Sequence, residues 1–220
     1  MNNLALNVVP FPKSGALTLM LTVLLTTLLA TPLTATKAIA DDTPRSDKHY
    51  IGILATALEH RSLGYHQTLP HTKEDGWSQA GTLVIGGHIT DYAHAELRFG
   101  GGYSDAEISD DLTLSVDYYA SWYMGLHYPI TEYANVYGQG GFSYIHGEAD
   151  LENRESNLNR QYRYLDEQYP ASSFSVSWLV GLDFELFDDT FLVFEGGRLF
   201  KDTDTYANTF QFSSGLRYEF

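Results

Sequence analysis

The chain has 220 residues, with 28 acidic and 13 basic side chains, a formal charge of −15 and no cysteine. These values exclude a disulfide scaffold and a basic nucleic-acid binder. Aromatic residues at 14% against 19% charged residues exclude a disordered acidic protein as well, because that much apolar surface collapses into a folded body.

The only long apolar run, Ala16 to Ala30, follows Lys13 and precedes Pro32 and Ala38-Ile39-Ala40. A basic flank, a short apolar stretch and an A-x-A exit predict a secretory signal over 1–40, cleaved after Ala40. An inner-membrane anchor would need about 20 apolar residues. Residues 41–48 are polar and are expected to be a flexible N-terminal segment ahead of one domain over 49–220.

From there to the last residue, apolar and polar side chains alternate, and a period of two predicts strands. Eight segments show it, over about 49–59, 79–88, 94–103, 115–128, 134–146, 173–186, 191–200 and 208–220. The segment over 115–128 sets Val116, Tyr118, Ala120, Trp122, Met124, Leu126 and Tyr128 against Ser115, Asp117, Ser121, Gly125 and His127. The segment over 173–186 sets Phe174, Val176, Trp178, Val180 and Leu182 against Ser173, Ser175, Ser177, Gly181 and Asp183. The connections measure about 19, 5, 11, 5, 26, 4 and 7 residues, so long and short alternate. An up-and-down antiparallel barrel has this pattern when its long loops sit on one side of a membrane and its tight turns on the other. A weak repeat of a short acidic turn followed by a strand ending in glycines, at Ile89–Gly102, Ile130–Gly141 and Leu186–Gly197, agrees with recurring hairpins.

Parity alone does not say which face meets lipid. Tyr103, Tyr118, Tyr128, Tyr144, Phe174 and Phe220 end the apolar faces at interface depth, while the polar faces are rich in Gly and Ser, small enough for a narrow lumen. Both features predict a membrane barrel, all-β, of eight antiparallel up-and-down transmembrane strands in the bacterial outer membrane. The C-terminal strand ends in Leu216-Arg217-Tyr218-Glu219-Phe220. With that ending, the chain resembles the small outer-membrane β-barrel family of the outer membrane protein A and X type. The resemblance implies a monomer with both termini in the periplasm. It also implies that Leu216, Tyr218 and Phe220 form the signal read by the barrel-assembly machinery, and that outer-membrane lipid and lipopolysaccharide are its surroundings.

Inward parity near the short turns collects a lumen charge network of Glu96, Arg98, His127, Asp183, Glu185, Arg217 and Glu219. Buried charges need partners, so Arg98 and Arg217 are each expected to bridge carboxylates across the lumen, as a plug in preference to a narrow ion path. Glu195 and Arg198 have opposite parity: either Arg198 faces lipid and reaches lipopolysaccharide phosphate, or a bulge at Gly196-Gly197 turns it inward.

Acidic residues concentrate in the loops without a calcium-loop pattern, and no metal site or cofactor is expected. The long loop 147–172 mixes Arg154, Arg160 and Arg163 with Tyr162, Tyr164 and Tyr169, side chains that interfaces favour, and is the expected contact surface for a host or other surface ligand. The eight histidines include no H-E-x-x-H, and no G-x-S-x-G or phosphate-binding loop occurs. The expected role is therefore structural or adhesive, not enzymatic. One alternative is a lipid-A-modifying enzyme in which His146, Ser172 and Glu148 converge on the outer wall; the other is a small channel.

Overall fold

The computed structural model describes residues 45–63, 74–156, 162–163, 169–170, 174–202 and 207–220. The predicted signal over 1–40 lies outside them, as do Arg160, Tyr164 and Ser172. The described strands are β1 (His49–Leu63), β2 (Glu74–His88), β3 (Ala93–Ser104), β4 (Ala106–Ser109), β5 (Leu112–Thr131), β6 (Ala134–Leu151), β7 (Phe174–Phe187), β8 (Thr190–Lys201) and β9 (Asn208–Glu219). Successive strands pair antiparallel and β9 returns to pair with β1. The short β4 continues β3 beyond a break at Asp105, and both pair with β5. The wall therefore closes as the predicted eight-stranded up-and-down barrel, which leaves no strand edge in hydrocarbon.

Burial follows parity along the wall strands and settles which face is which, except on β5, where a register shift between Val116 and Tyr118 turns Val116 inward and Asp117 outward, the reverse of the sequence reading. On β5, Trp122, Met124 and Leu126 are exposed, while Ser121, Tyr123 and His127 between them are buried. On β7, Val176, Trp178, Val180 and Leu182 are exposed, and Ser177, Leu179 and Asp183 are buried. Apolar side chains outside and polar ones inside is the inverse of a soluble barrel. Exposed aromatics bound the outer face at both ends: Trp77, Tyr103, Tyr118 and Phe174 at one, and Tyr92, Tyr128, Tyr133, Phe187 and Phe220 at the other. Tyr118 and Tyr128 lie about ten residues apart on one strand, roughly 25 Å along the barrel axis at a tilt of about 40°.

The tight turns share an end of the barrel with residues 45–48 and Phe220. In the β7–β8 turn, Asp188-Asp189, Asp189 takes φ 62°, a left-handed conformation that Asp tolerates. Residues 45–48, expected to be flexible, are tied down there: the Lys48 N–H donates to the Arg45 carbonyl at 3.0 Å and the Asp47 N–H to the His88 carbonyl at 3.3 Å.

At the opposite end the ladders run well past the predicted limits. Sequence reading ends one strand at 146 and begins another at 115, whereas β6 continues to Leu151 and β5 starts at Leu112. The cause is an inward apolar face on this extension, where Leu112, Leu114, Val116, Ile145, Ala149 and Leu151 form a cluster with Leu58, Tyr119, Leu199 and Phe200. Lower down the lumen narrows around tyrosines laid against glycines of neighbouring strands. A methyl group at Gly100 would come within 2.1 Å of the Tyr119 ring, and one at Gly181 within 2.4 Å of the Tyr137 ring.

Candidate functional site

The middle of the lumen is organised by Arg98 on β3. In an eight-stranded ring, β3 and β8 are four strands apart in either direction, so they face each other across the full diameter. Arg98 crosses that diameter to Glu195 of β8, through Nη1 to Oε1 and through Nη2 to Oε2 at 2.8 Å. Its Nε donates to Glu96 Oε1 at 2.5 Å. The Tyr50 hydroxyl donates to Glu96 Oε2 at 2.9 Å and the Tyr137 hydroxyl to Glu195 Oε2 at 2.8 Å, so each carboxylate is held from two sides. The space left among Leu54, Val84, Arg98, Tyr137 and Arg217 is a cavity of about 10 Å³, room for about one water.

A second charged layer lies toward the tight turns. Arg217 Nη2 donates to Asp183 Oδ2 at 2.6 Å and to Glu219 Oε1 at 3.3 Å, and its guanidinium lies 5.0 Å from the Tyr50 ring centroid. Asn135 Nδ2 donates to Asp183 Oδ1 at 2.6 Å. Arg45, from the segment before β1, donates to Glu219 Oε1 at 2.7 Å. In the same layer three imidazoles meet: His88 at the end of β2, His94 of β3 and His127 of β5, with ring centroids 4.9 to 6.0 Å apart. One nitrogen from each lies within 4.8 Å of the other two.

Above Arg98 the lumen turns to hydroxyls. Thr56 bonds Thr82 at 2.7 Å and Ser213 at 3.0 Å, and Thr82 bonds the Tyr119 hydroxyl. Next, His60 is held between Ser78 at 2.9 Å and Thr209 at 3.2 Å. The apolar cluster of the extended ladders then closes the lumen, and Tyr162 and Tyr169 of the long loop are buried in it. Burial raises the Tyr169 hydroxyl to about 12, so it is neutral at physiological pH.

Six of the seven expected lumen charges are where parity puts them: Glu96, Arg98, His127, Asp183, Arg217 and Glu219 are all buried. Glu185 is not. The β7–β8 register shifts between Glu185 and Phe187, the strand leaves the lumen, and the exposed Glu185 carboxylate accepts the Asp189 N–H at 3.2 Å. Glu195, which the sequence leaves undecided, is an inward member of the network. The β7–β8 register runs unbroken from Glu195 to Arg198, so Gly196-Gly197 forms no bulge between these strands and Arg198 stays on the outer face opposite Trp178. His88 and His94 escape sequence reading because no motif links them. The signal that finds them is inward parity at the turn end of adjacent strands.

The loop expectation needs correction. Tyr162 and Tyr169 are 3% and 7% exposed, so they serve the lumen cap and are not free for a partner. Arg154 is exposed, and its carbonyl accepts Arg163 Nε at 2.7 Å. On the outer wall His146 and Glu148 share a face, but the carboxylate beside the imidazole is Asp117, with Oδ2 3.7 Å from His146 Nε2. The His146 ring stacks on Tyr118 at 4.9 Å. Leu216, Tyr218 and Phe220 all project outward, the last two with stacked rings.

No curated protein matches the chain. Solved structures of similar form include the outer membrane protein OprG from Pseudomonas aeruginosa, 11% identical over 80% of this chain and 97% of that one with a TM-score of 0.52. The attachment invasion locus protein Ail of Yersinia pestis is 14% identical over 80% and 99%, with a TM-score of 0.49. The Neisserial surface protein A is 14% identical over 78% and 97%, also at 0.49. The family model of the outer membrane protein β-barrel domain matches residues 25–220, and with the closed, inverted barrel this chain belongs to that outer-membrane family.

Proposed function

We propose that this protein, exported by its 1–40 signal, is a closed outer-membrane barrel that works through its extracellular end, in surface contact and envelope integrity, and neither conducts ions nor catalyses a reaction. The observation that carries the reading is the obstruction of the lumen at successive levels: Arg98 spans its diameter to Glu195, and an apolar cap with Tyr162 and Tyr169 fills its upper end. Among the described residues, Asp111, Asn153, Arg154, Glu155 and Ser156 line a surface depression at the tip beyond β5 and β6.

Two measurements test this. Purified protein in planar lipid bilayers is expected to give no conductance steps; discrete steps would make the channel reading the better one. Proteinase K, which cuts at most exposed residue types, is expected to cut intact cells' protein near the exposed Arg154, whereas cuts restricted to the tight turns near 89–92 or 132–133 would reverse the orientation. The Asp117–His146 pair favours one rival, a lipid-modifying enzyme. Under the proposal, His146→Ala leaves the lipid A mass spectrum unchanged; a mass difference that depends on His146 would replace it.

A further inference from the structure

We propose that His88, His94 and His127 form a binding site for one divalent transition-metal ion of the zinc class, in the lumen at its periplasmic mouth. The three residues come from three adjacent wall strands. His88 and His94 are directly opposed in the β2–β3 ladder, and His127 follows Leu126, the β5 partner of Ala93. All three are buried, and their potential ligand atoms lie within 4.8 Å of one another.

Packing alone accounts poorly for this cluster, because it leaves polar atoms without partners. His88 Nδ1, His127 Nε2 and the Gln139 side-chain oxygen are all buried with no hydrogen bond. Each such atom has given up its hydrogen bonds to water and gained none in return. His94 Nδ1 and His127 Nδ1 face each other at 3.3 Å, a contact that needs one ring to give a proton to the other's lone pair. A bound cation removes that requirement, since it takes a lone pair from both. For tetrahedral zinc with Zn–N bonds of about 2.0–2.1 Å, ligand nitrogens sit roughly 3.4 Å apart, which is the separation these two already have. A His88 nitrogen lies within 4.8 Å of its counterparts in the other two rings.

For His88 and His94 the surroundings are those that metal-ligating histidines use, whereas His127 Nε2 has no such partner. Such rings donate their second N–H to a carboxylate or carbonyl oxygen, which fixes the lone pair on the ligating nitrogen. His88 Nε2 lies 3.2 Å from Glu219 Oε1, itself anchored by Arg45 and Arg217, and this leaves Nδ1 as the free lone pair. His94 Nε2 lies 2.6 Å from the Gln139 amide nitrogen. Turning that amide over places the unpartnered oxygen on the His94 Nε2–H and frees His94 Nδ1 for the metal. Three neutral imidazoles suit zinc, copper or nickel in preference to calcium or magnesium, and leave a fourth position for water. The ion would pin β2, β3 and β5 together at the mouth.

The experiment takes the full barrel purified in detergent, strips it with a chelator, and titrates it with zinc by calorimetry and with cobalt by visible absorption. One saturable zinc site per chain is expected, with cobalt giving the intense bands of four-coordinate geometry. His94→Gln and His127→Gln are expected to lower zinc affinity by more than about 100-fold, and Gln139→Ala by about 10- to 100-fold. His146→Ala on the outer wall changes nothing. Absence of a saturable site in the unaltered protein overturns the proposal without reference to any variant. So does undiminished binding by a His94→Gln barrel that still shifts on boiling in detergent gels.

Discussion

Replacing Arg98 with methionine is expected to lower the stability of the folded barrel by about 3–5 kcal/mol. Methionine fills much of the same space, so the loss is electrostatic. Glu96 and Glu195 would stay behind, both under 10% exposed, each with a single tyrosine hydroxyl in place of the guanidinium. Urea unfolding of the protein in lipid vesicles, followed by tryptophan fluorescence and by gel migration before and after boiling, measures the change. A loss below about 1 kcal/mol would show that the two carboxylates are hydrated and the lumen open. Adding Glu195→Gln to Arg98→Met removes one of the stranded charges and is expected to recover part of the loss, since directly paired residues are not additive.

Val180→Arg tests the other face. Val180 projects outward from the middle of β7, 56% exposed, between Trp178 and Leu182 and opposite Gly138 and Gly196 on the flanking strands. In hydrocarbon at the bilayer midplane, arginine costs about 2–4 kcal/mol. The same substitution at the exposed Asp150, near the end of β6 beyond the aromatic boundary, is expected to cost close to nothing. Equilibrium unfolding of both variants in vesicles compares them. Equal stability would mean that the apolar face meets water at both depths, and the inverted assignment would fail.

The wall of the barrel was legible because it depends on one quantity, the period of two, that each strand carries by itself. The lumen charges were legible for the same reason: once Phe99 is outside, Glu96 and Arg98 are inside. Glu185 was misplaced because parity holds only while the ladder does, and the register shifts at the turn. The ends of β5 and β6 were cut short because Asp110, Asp111, Glu148 and Asp150 read as loop acids, although on β6 Glu148 and Asp150 alternate with Ala149 and Leu151 and on β5 Thr113 and Ser115 alternate with Leu112 and Leu114. Those acids point into water above the membrane, where a strand carries charge outside at little cost. The tyrosines of the long loop illustrate a different limit. Residue type marks Tyr162 and Tyr169 as amphipathic, but only the depth of the apolar cup below them shows that they turn inward. The three-histidine cluster needs contacts between separate strands, which no spacing along the chain encodes.

The bridge from Arg98 to Glu195 also bears on the order of assembly. The two residues are 97 positions apart in the chain and sit on walls four strands apart. In a flat, open sheet they would stand roughly 19 Å apart at a strand spacing of about 4.8 Å. Adding hairpins one at a time brings them no closer; only the curling of the sheet that lets β9 meet β1 does so. Until then Glu195 waits without its guanidinium and Arg98 has only Glu96, its neighbour on β3, so a half-built sheet gains that local pair alone and the bridge arrives with the completed ring. The Arg98–Glu195 bridge thus makes closure cooperative: it is absent from every open intermediate, and separating β1 from β9 undoes a contact across the lumen.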